Sequence, residues 1–113
     1  QWGFGVEEQL DHQDLIREKY QGVRPAPGYP ACPDHTEKRL VWDLLEVAQR
    51  LDLTLTENCA IDPASSICGF FMQYPAAKYF NLGKIDQEQL TNYASRKGVS
   101  LDEAKRWLAA HLL

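Results

Sequence analysis

The order of periodic segments predicts an α+β domain: antiparallel strands in a meander, flanked by helices and closed by two C-terminal helices. Three observations carry this. Helix-spaced apolar residues recur at both ends of the chain, β-type alternation is confined to the middle, and the middle segments are joined by links too short for a helical crossover. At 113 residues, 44% of them hydrophobic, residues 1–113 read as a single domain that buries roughly two thirds of its unfolded surface.

Taken in order, Asp11–Tyr20, "DHQDLIREKY", predicts a short helix. Asp11 or Asp14 supplies the N-cap, Leu15, Ile16 and Tyr20 share helical spacing, and Gly22 stops it. Asp34 and Glu37 have capping-box spacing ahead of Leu40, Val41, Leu44, Leu45, Ala48 and Leu51, an apolar stripe that predicts a helix of about four turns. "DLTLTENCA" (52–60) alternates and predicts a strand, as does the apolar "SICGFFMQ" (66–73), with a turn at Asp62-Pro63-Ala64-Ser65 between them. After a second turn at Tyr74-Pro75-Ala76, "KYFNLGKI" predicts a third strand in which Gly83 marks a bulge or a close backbone approach. The tail predicts a helix from Asp86 or Gln87 to Lys97, stopped by Gly98. A second follows, opened by a Ser100…Glu103 capping box and placing Leu101, Ala104, Leu108 and Leu112 near one face.

The formal net charge of −4, with Lys and Arg scattered among acids, leaves no basic stripe to neutralise phosphates, so nucleic acid is a poor partner. No apolar run approaches the roughly 20 residues of a membrane span, and the start lacks a signal-peptide pattern, which predicts a cytoplasmic protein without membrane contact. The chain opens on "QWGFG" without an initiator methionine. That aromatic cluster has no preceding element to pack on, so it reads as a piece of a longer polypeptide. Three cysteines, Cys32, Cys59 and Cys68, with no Cys-x-x-Cys, argue for reduced buried thiols rather than a disulfide framework. Cys32 and His35 make half of a metal-site spacing with no second pair, so no metal is expected. Nor does Cys32, followed by Pro33, look like an activated nucleophile. The carboxylates sit on helix faces and offer no catalytic pair.

One stretch stands out: Arg24–Lys38, "RPAPGYPACPDHTEK", holds four of the six prolines. Pro25 forces Arg24 into an extended conformation, and Pro27-Gly28 is the favoured central pair of a type II turn. Such a loop has little conformational entropy left to lose on binding. Arg24 offers a planar fork for a carboxylate or phosphate, Gly28 lets a ligand approach the backbone, and Tyr29 offers a ring face. Spacing alone leaves a second reading open, in which the prolines simply guide a crossover between helices. Tyr74, Tyr79 and Phe80 flank the second turn. Because adjacent strand residues point to opposite faces, Tyr79 and Phe80 cannot both be core on one side, and one of them could line a site.

The run "YQGVRPAPGYPACPDHTEK" (20–38) resembles the signature of the activation domain of cobalamin-dependent methionine synthase. The similarity continues through "WDLLEV", "LTLTEN", "KYFNLGKI" and "YASRKGVSLDEAKRWLA" and covers nearly the whole chain in order, as the C-terminal portion of that domain. The resemblance implies binding of S-adenosylmethionine for the reductive remethylation of inactive cob(II)alamin to methylcobalamin. The nucleophile is then the cobalt of cobalamin held by another domain, which agrees with the lack of a catalytic group here. Zinc is expected only in a different domain. Partners implied are the cobalamin-binding domain of the same enzyme and an electron donor, flavodoxin or a methionine synthase reductase. Carried over residue by residue, Arg24 would bind the ligand's carboxylate, Gly28 and Tyr29 would shape the wall, and Tyr79 with Phe80 matches the family's tyrosine pair. An aromatic face near the sulfonium is worth about 0.5–2 kcal/mol. Phe80 replaces the second tyrosine and loses its hydroxyl, and "IDPASS" (61–66) departs from the family's usual turn. The family's acidic ligands to the ribose and the amino end map upstream of Gln1, so the chain alone is expected to bind the ligand weakly and to be inactive. The alternative is a non-catalytic protein-interaction module whose ligand site has decayed.

Overall fold

The structure, a computed structural model, describes residues 7–113, so the opening "QWGFG" lies outside the described residues. The elements are α1 (His12–Ile16), α2 (Glu37–Leu44), α3 (Val47–Arg50), β1 (Thr54–Leu55), β2 (Ile61–Asp62), α4 (Gln87–Lys97) and α5 (Leu101–Leu108), which runs into a 3-10 turn at Ala109–His111. The class is α+β, with an antiparallel pair in the middle and two C-terminal helices. β1 and β2 pair with Thr54 opposite Asp62 and Leu55 opposite Ile61.

The C-terminal helices form where their caps predict them. Asp86 Oδ1 accepts from the Gln89 N–H at 2.8 Å while Gln89 Oε1 accepts from the Asp86 N–H at 2.9 Å, a reciprocal capping box. Gly98 ends α4 with φ +73°, a left-handed conformation that costs glycine little. Ser100 Oγ accepts from the Glu103 N–H and opens α5. The core lies between the two helices: Ile85, Leu90, Ala94, Ala104 and Leu108 are buried, with Tyr93, Val99, Leu101 and Leu112 packed against them. Ile85 hydrogen-bonds through its backbone to His111 and Leu113, tying the chain end to the entry of α4.

The middle departs from the predicted meander. Among the described residues, regular sheet is confined to β1 and β2. Residues 70–72 do pair as an extended segment, but their neighbour is the proline loop: Val23 and Met72 exchange both backbone hydrogen bonds at 2.9 Å, and Phe70 N–H donates to the Pro25 carbonyl at 2.8 Å. The register puts Pro25 opposite Phe70 and Pro27 next along. Neither proline has an N–H, so the ladder cannot propagate. The expected third strand is interrupted by a turn in which Asn81 Oδ1 accepts from the Gly83 N–H at 3.0 Å, with Gly83 at φ +70° and open space beside it. Gly83 therefore marks a turn rather than a close approach.

The four-turn helix also divides. α2 stops at Leu44, Glu46 adopts φ +52°, and α3 restarts at Val47. Of the stripe, Leu40, Leu44, Leu45 and Leu51 are more than half exposed, whereas Val47 is buried. Among the described residues, packing that would reward one continuous helix is absent along this face, and short helices draw their stability from packing rather than propensity. α1 is likewise shorter than predicted, ending at Ile16, with Glu18 at φ +56°.

Candidate functional site

A cleft of about 850 Å³ opens between the proline loop, the segment 60–68 and residues 79–81. Its walls include Arg24, Tyr29, Tyr79 and Phe80, so four of the five residues singled out in the sequence converge, although 55 positions separate Arg24 from Tyr79. The backbone pairing of 23–25 with 70–72 makes that convergence possible. Gly28 is the exception. It sits at φ +100° in the predicted turn, closed by the Tyr29 N–H to the Ala26 carbonyl at 3.2 Å. A Cβ placed there would lie 2.1 Å from the imidazole of His35, so the space glycine leaves is filled by that ring. His35 and Lys38 line the cleft in its place. Lys38 Nζ donates to the Cys59 carbonyl at 2.8 Å and lies 3.2 Å from His35 Nδ1, bracing the loop against the β1–β2 hairpin.

Arg24 is held more closely than its position in the sequence suggests. Its guanidinium carbon lies 4.0 Å from the centre of the Tyr20 ring and 4.9 Å from that of Phe71. Its backbone N–H donates to Tyr79 Oη at 2.8 Å, and Tyr79 and Tyr20 share a 2.5 Å hydroxyl-hydroxyl hydrogen bond. Burial, then the Tyr79 hydrogen bond, pushes the Tyr20 phenol up to about 12, so Tyr20 is protonated at neutral pH. Spacing does not mark Tyr20 or Phe71 as partners of Arg24; both arrive through chain crossings.

Behind the loop sits a second polar cluster. Asp34 is buried and its Oδ1 accepts from the N–H and hydroxyl of Thr36 at 2.7 and 2.6 Å. Its Oδ2 accepts from Tyr93 Oη at 2.5 Å and Lys97 Nζ at 2.6 Å. Lys97 also reaches Glu37 at 2.5 Å. The predicted Asp34–Glu37 capping box is therefore not formed: Glu37 turns to Lys97, and Asp34 joins the proline loop to α4. Burial raises the Asp34 carboxyl, but the hydrogen bonds from Lys97, Thr36 and Tyr93 outweigh it and hold the group below the usual carboxylate range. Burial, and then the facing Asp34 carboxylate, pushes Tyr93 up to about 12.

Cys32 lies against this acidic cluster, half-buried. Burial first, then Glu37 and Asp34, raises its thiol, the reverse of what an activated nucleophile needs. Among the described residues, no group of three or more His, Cys, Asp and Glu is placed to hold a metal ion, and no helix is long and apolar enough to cross a membrane. The cleft offers a cation, ring faces and a stiff rim, and among the described residues no hydrogen bond pairs a nucleophile with a base there.

Comparison with known proteins bears on the family. The family model described as vitamin B12 dependent methionine synthase, activation domain, matches residues 1–98. Among solved structures, this chain is similar to one described as the MetH reactivation domain bound to AdoHcy, with a TM-score of 0.89 and 49% sequence identity. The match covers 94% of this chain and 33% of that one, so the chain spans about a third of its solved relative's length. The α+β architecture, the proline loop and the family match together place this chain in the activation-domain family of vitamin B12-dependent methionine synthase.

Proposed function

We propose that the cleft is the carboxylate-binding and aromatic side of an S-adenosylmethionine site. In the whole protein this site serves the reductive remethylation of cob(II)alamin to methylcobalamin. The observation that carries this reading is the convergence of Arg24, Tyr29, Tyr79 and Phe80 on one cleft whose volume lies in the range of small-molecule sites. The AdoHcy named for the solved relative, the product left when the ligand gives up its methyl, supports the same ligand class.

The chain's own part is binding and orientation. Arg24 would receive the carboxylate of the ligand's amino-acid end in charge-assisted hydrogen bonds. Tyr79 spends its hydroxyl on the Arg24 backbone and on Tyr20, so it offers the ligand a ring face rather than a hydrogen bond. The loss of a hydroxyl at Phe80 therefore leaves the aromatic wall intact. Cobalamin, held by another domain, supplies the nucleophile for the methyl group. What remains for these residues is proximity, which alone can lower a barrier by about 7–11 kcal/mol. The cobalamin domain and an electron donor, flavodoxin or a reductase, are the partners this role requires, in the cytoplasm. Because the chain spans a third of its solved relative, it is expected to bind the ligand weakly when isolated.

Calorimetric titration of S-adenosylmethionine into the longest natural polypeptide carrying this chain tests the reading, with Arg24→Ala as control. Loss of one charge-assisted contact should weaken binding about 10- to 100-fold. Equal affinity in both proteins, or no binding in either, would reject the site and leave the interaction-module reading.

A further inference from the structure

Tyr20 does not line the cleft, yet it touches two residues that do. Its ring centre lies 4.0 Å from the Arg24 guanidinium carbon, and that of Phe71 lies 4.9 Å from the same atom. Its hydroxyl meets Tyr79 Oη at 2.5 Å, and the same Tyr79 oxygen accepts the Arg24 backbone N–H. The three residues thus close a ring in which Arg24 is fixed at both ends: main chain through Tyr79, side chain through Tyr20. A free arginine side chain carries about 2 kcal/mol of rotamer entropy, and a planar cation in contact with two rings has already given much of it up before any ligand arrives.

We propose that Tyr20 is a positioning residue: without touching the ligand, it fixes the guanidinium of Arg24, a residue of the cleft wall, and so sets affinity for ligands that carry a carboxylate. The proposal rests on the S-adenosylmethionine reading and deepens it by assigning carboxylate selectivity to a residue outside the cleft. A neutral phenol suits the role, because a phenolate next to Arg24 would compete with the ligand's carboxylate for the guanidinium.

The test compares two ligands on the longest natural polypeptide carrying this chain: S-adenosylmethionine, and its decarboxylated analogue, which keeps the sulfonium and adenosine. Tyr20→Leu should weaken S-adenosylmethionine roughly 3- to 10-fold and leave the analogue's affinity unchanged. Tyr20→Phe keeps the ring and removes only the hydroxyl pair, so it should show the same selectivity with a smaller loss; it decides the matter should the leucine variant fail to fold. Loss shared equally by both ligands would make Tyr20 a merely structural residue and overturn the proposal. Unchanged binding of S-adenosylmethionine in Tyr20→Leu would overturn it as well. Failure of the unsubstituted protein to bind either ligand would overturn the site reading itself and this proposal with it, an outcome distinct from the other two.

Discussion

The two halves of this molecule are held together by different physics. The C-terminal half, α4 and α5, is a conventional apolar core in which Leu90 is fully buried and Ala94, Ala104 and Leu108 nearly so. The half that carries the cleft buries few large apolar side chains and leaves Leu40, Leu44, Leu45, Leu51 and Ile67 more than half exposed. Its order comes from proline-stiffened backbone, cation-ring contacts around Arg24 and the Asp34 cluster that anchors the loop to α4. The difference teaches that a binding surface can be fixed by directional contacts where a greasy core would fill the space a ligand needs.

Five substitutions would break or sharpen this contrast. Leu90→Ala should be the most damaging, costing about 2–5 kcal/mol by leaving a cavity in the apolar half, read as a drop in thermal midpoint. If the cleft half depends on that core for its anchor, near-ultraviolet circular dichroism from its tyrosines should be lost in the same transition.

Next, Asp34→Ala leaves Glu37 as the one carboxylate on Lys97 and takes the acceptor from Tyr93 and Thr36, and should cost about 3 kcal/mol. The same cluster sets a pH window. The Asp34 carboxyl is depressed in the folded state, so its contribution is complete above the unfolded value of about 3.9 and is lost as pH falls through the folded one. Lys97 is raised, by Asp34 and Glu37 against the opposing effect of burial, so its contribution is complete below about pH 10.4 and lost at higher pH. Urea midpoints should form a plateau between about pH 4 and 10 and fall on both sides. A wild-type midpoint unchanged between pH 3 and 7 would contradict the role given to Asp34.

A smaller effect separates two glycines that share a left-handed conformation. Gly28→Ala must displace the His35 ring and should cost about 2–3 kcal/mol, whereas Gly98→Ala meets nothing within 4 Å and should cost about 1 kcal/mol. Equal losses would mean that His35 yields freely and that the loop is less tightly braced than its contacts indicate. At the bottom of the scale, Leu44→Ser, at a residue 81% exposed, should change stability by less than about 0.5 kcal/mol in this chain. A larger loss would show that the exposed stripe is covered in solution.

What the amino-acid sequence determined by itself is the set of features that local chemistry closes within a few residues. The Asp86–Gln89 box, the Ser100 cap, the Gly98 stop and the Pro27-Gly28 turn each satisfy their own backbone groups, and so could be read from spacing. Resemblance in the run 20–38 and in "KYFNLGKI" named four of the residues that line the cleft. Tertiary structure decided the rest, because it turns on which distant segment arrives as a neighbour. Residues 66–73 met a segment in which Pro25 and Pro27 have no N–H to give, so pairing stopped after Val23 and Met72 and no sheet formed. The Leu40–Leu51 stripe met no partner among the described residues, so it stayed exposed and its helix divided. Asp34, spaced for a helix cap, met Tyr93 and Lys97 from α4, and a buried carboxylate with a charged partner is worth more there than a cap. Tyr20 and Phe71 closed on Arg24 only because the chain crosses itself, and no periodicity along the sequence encodes a contact made at right angles to it.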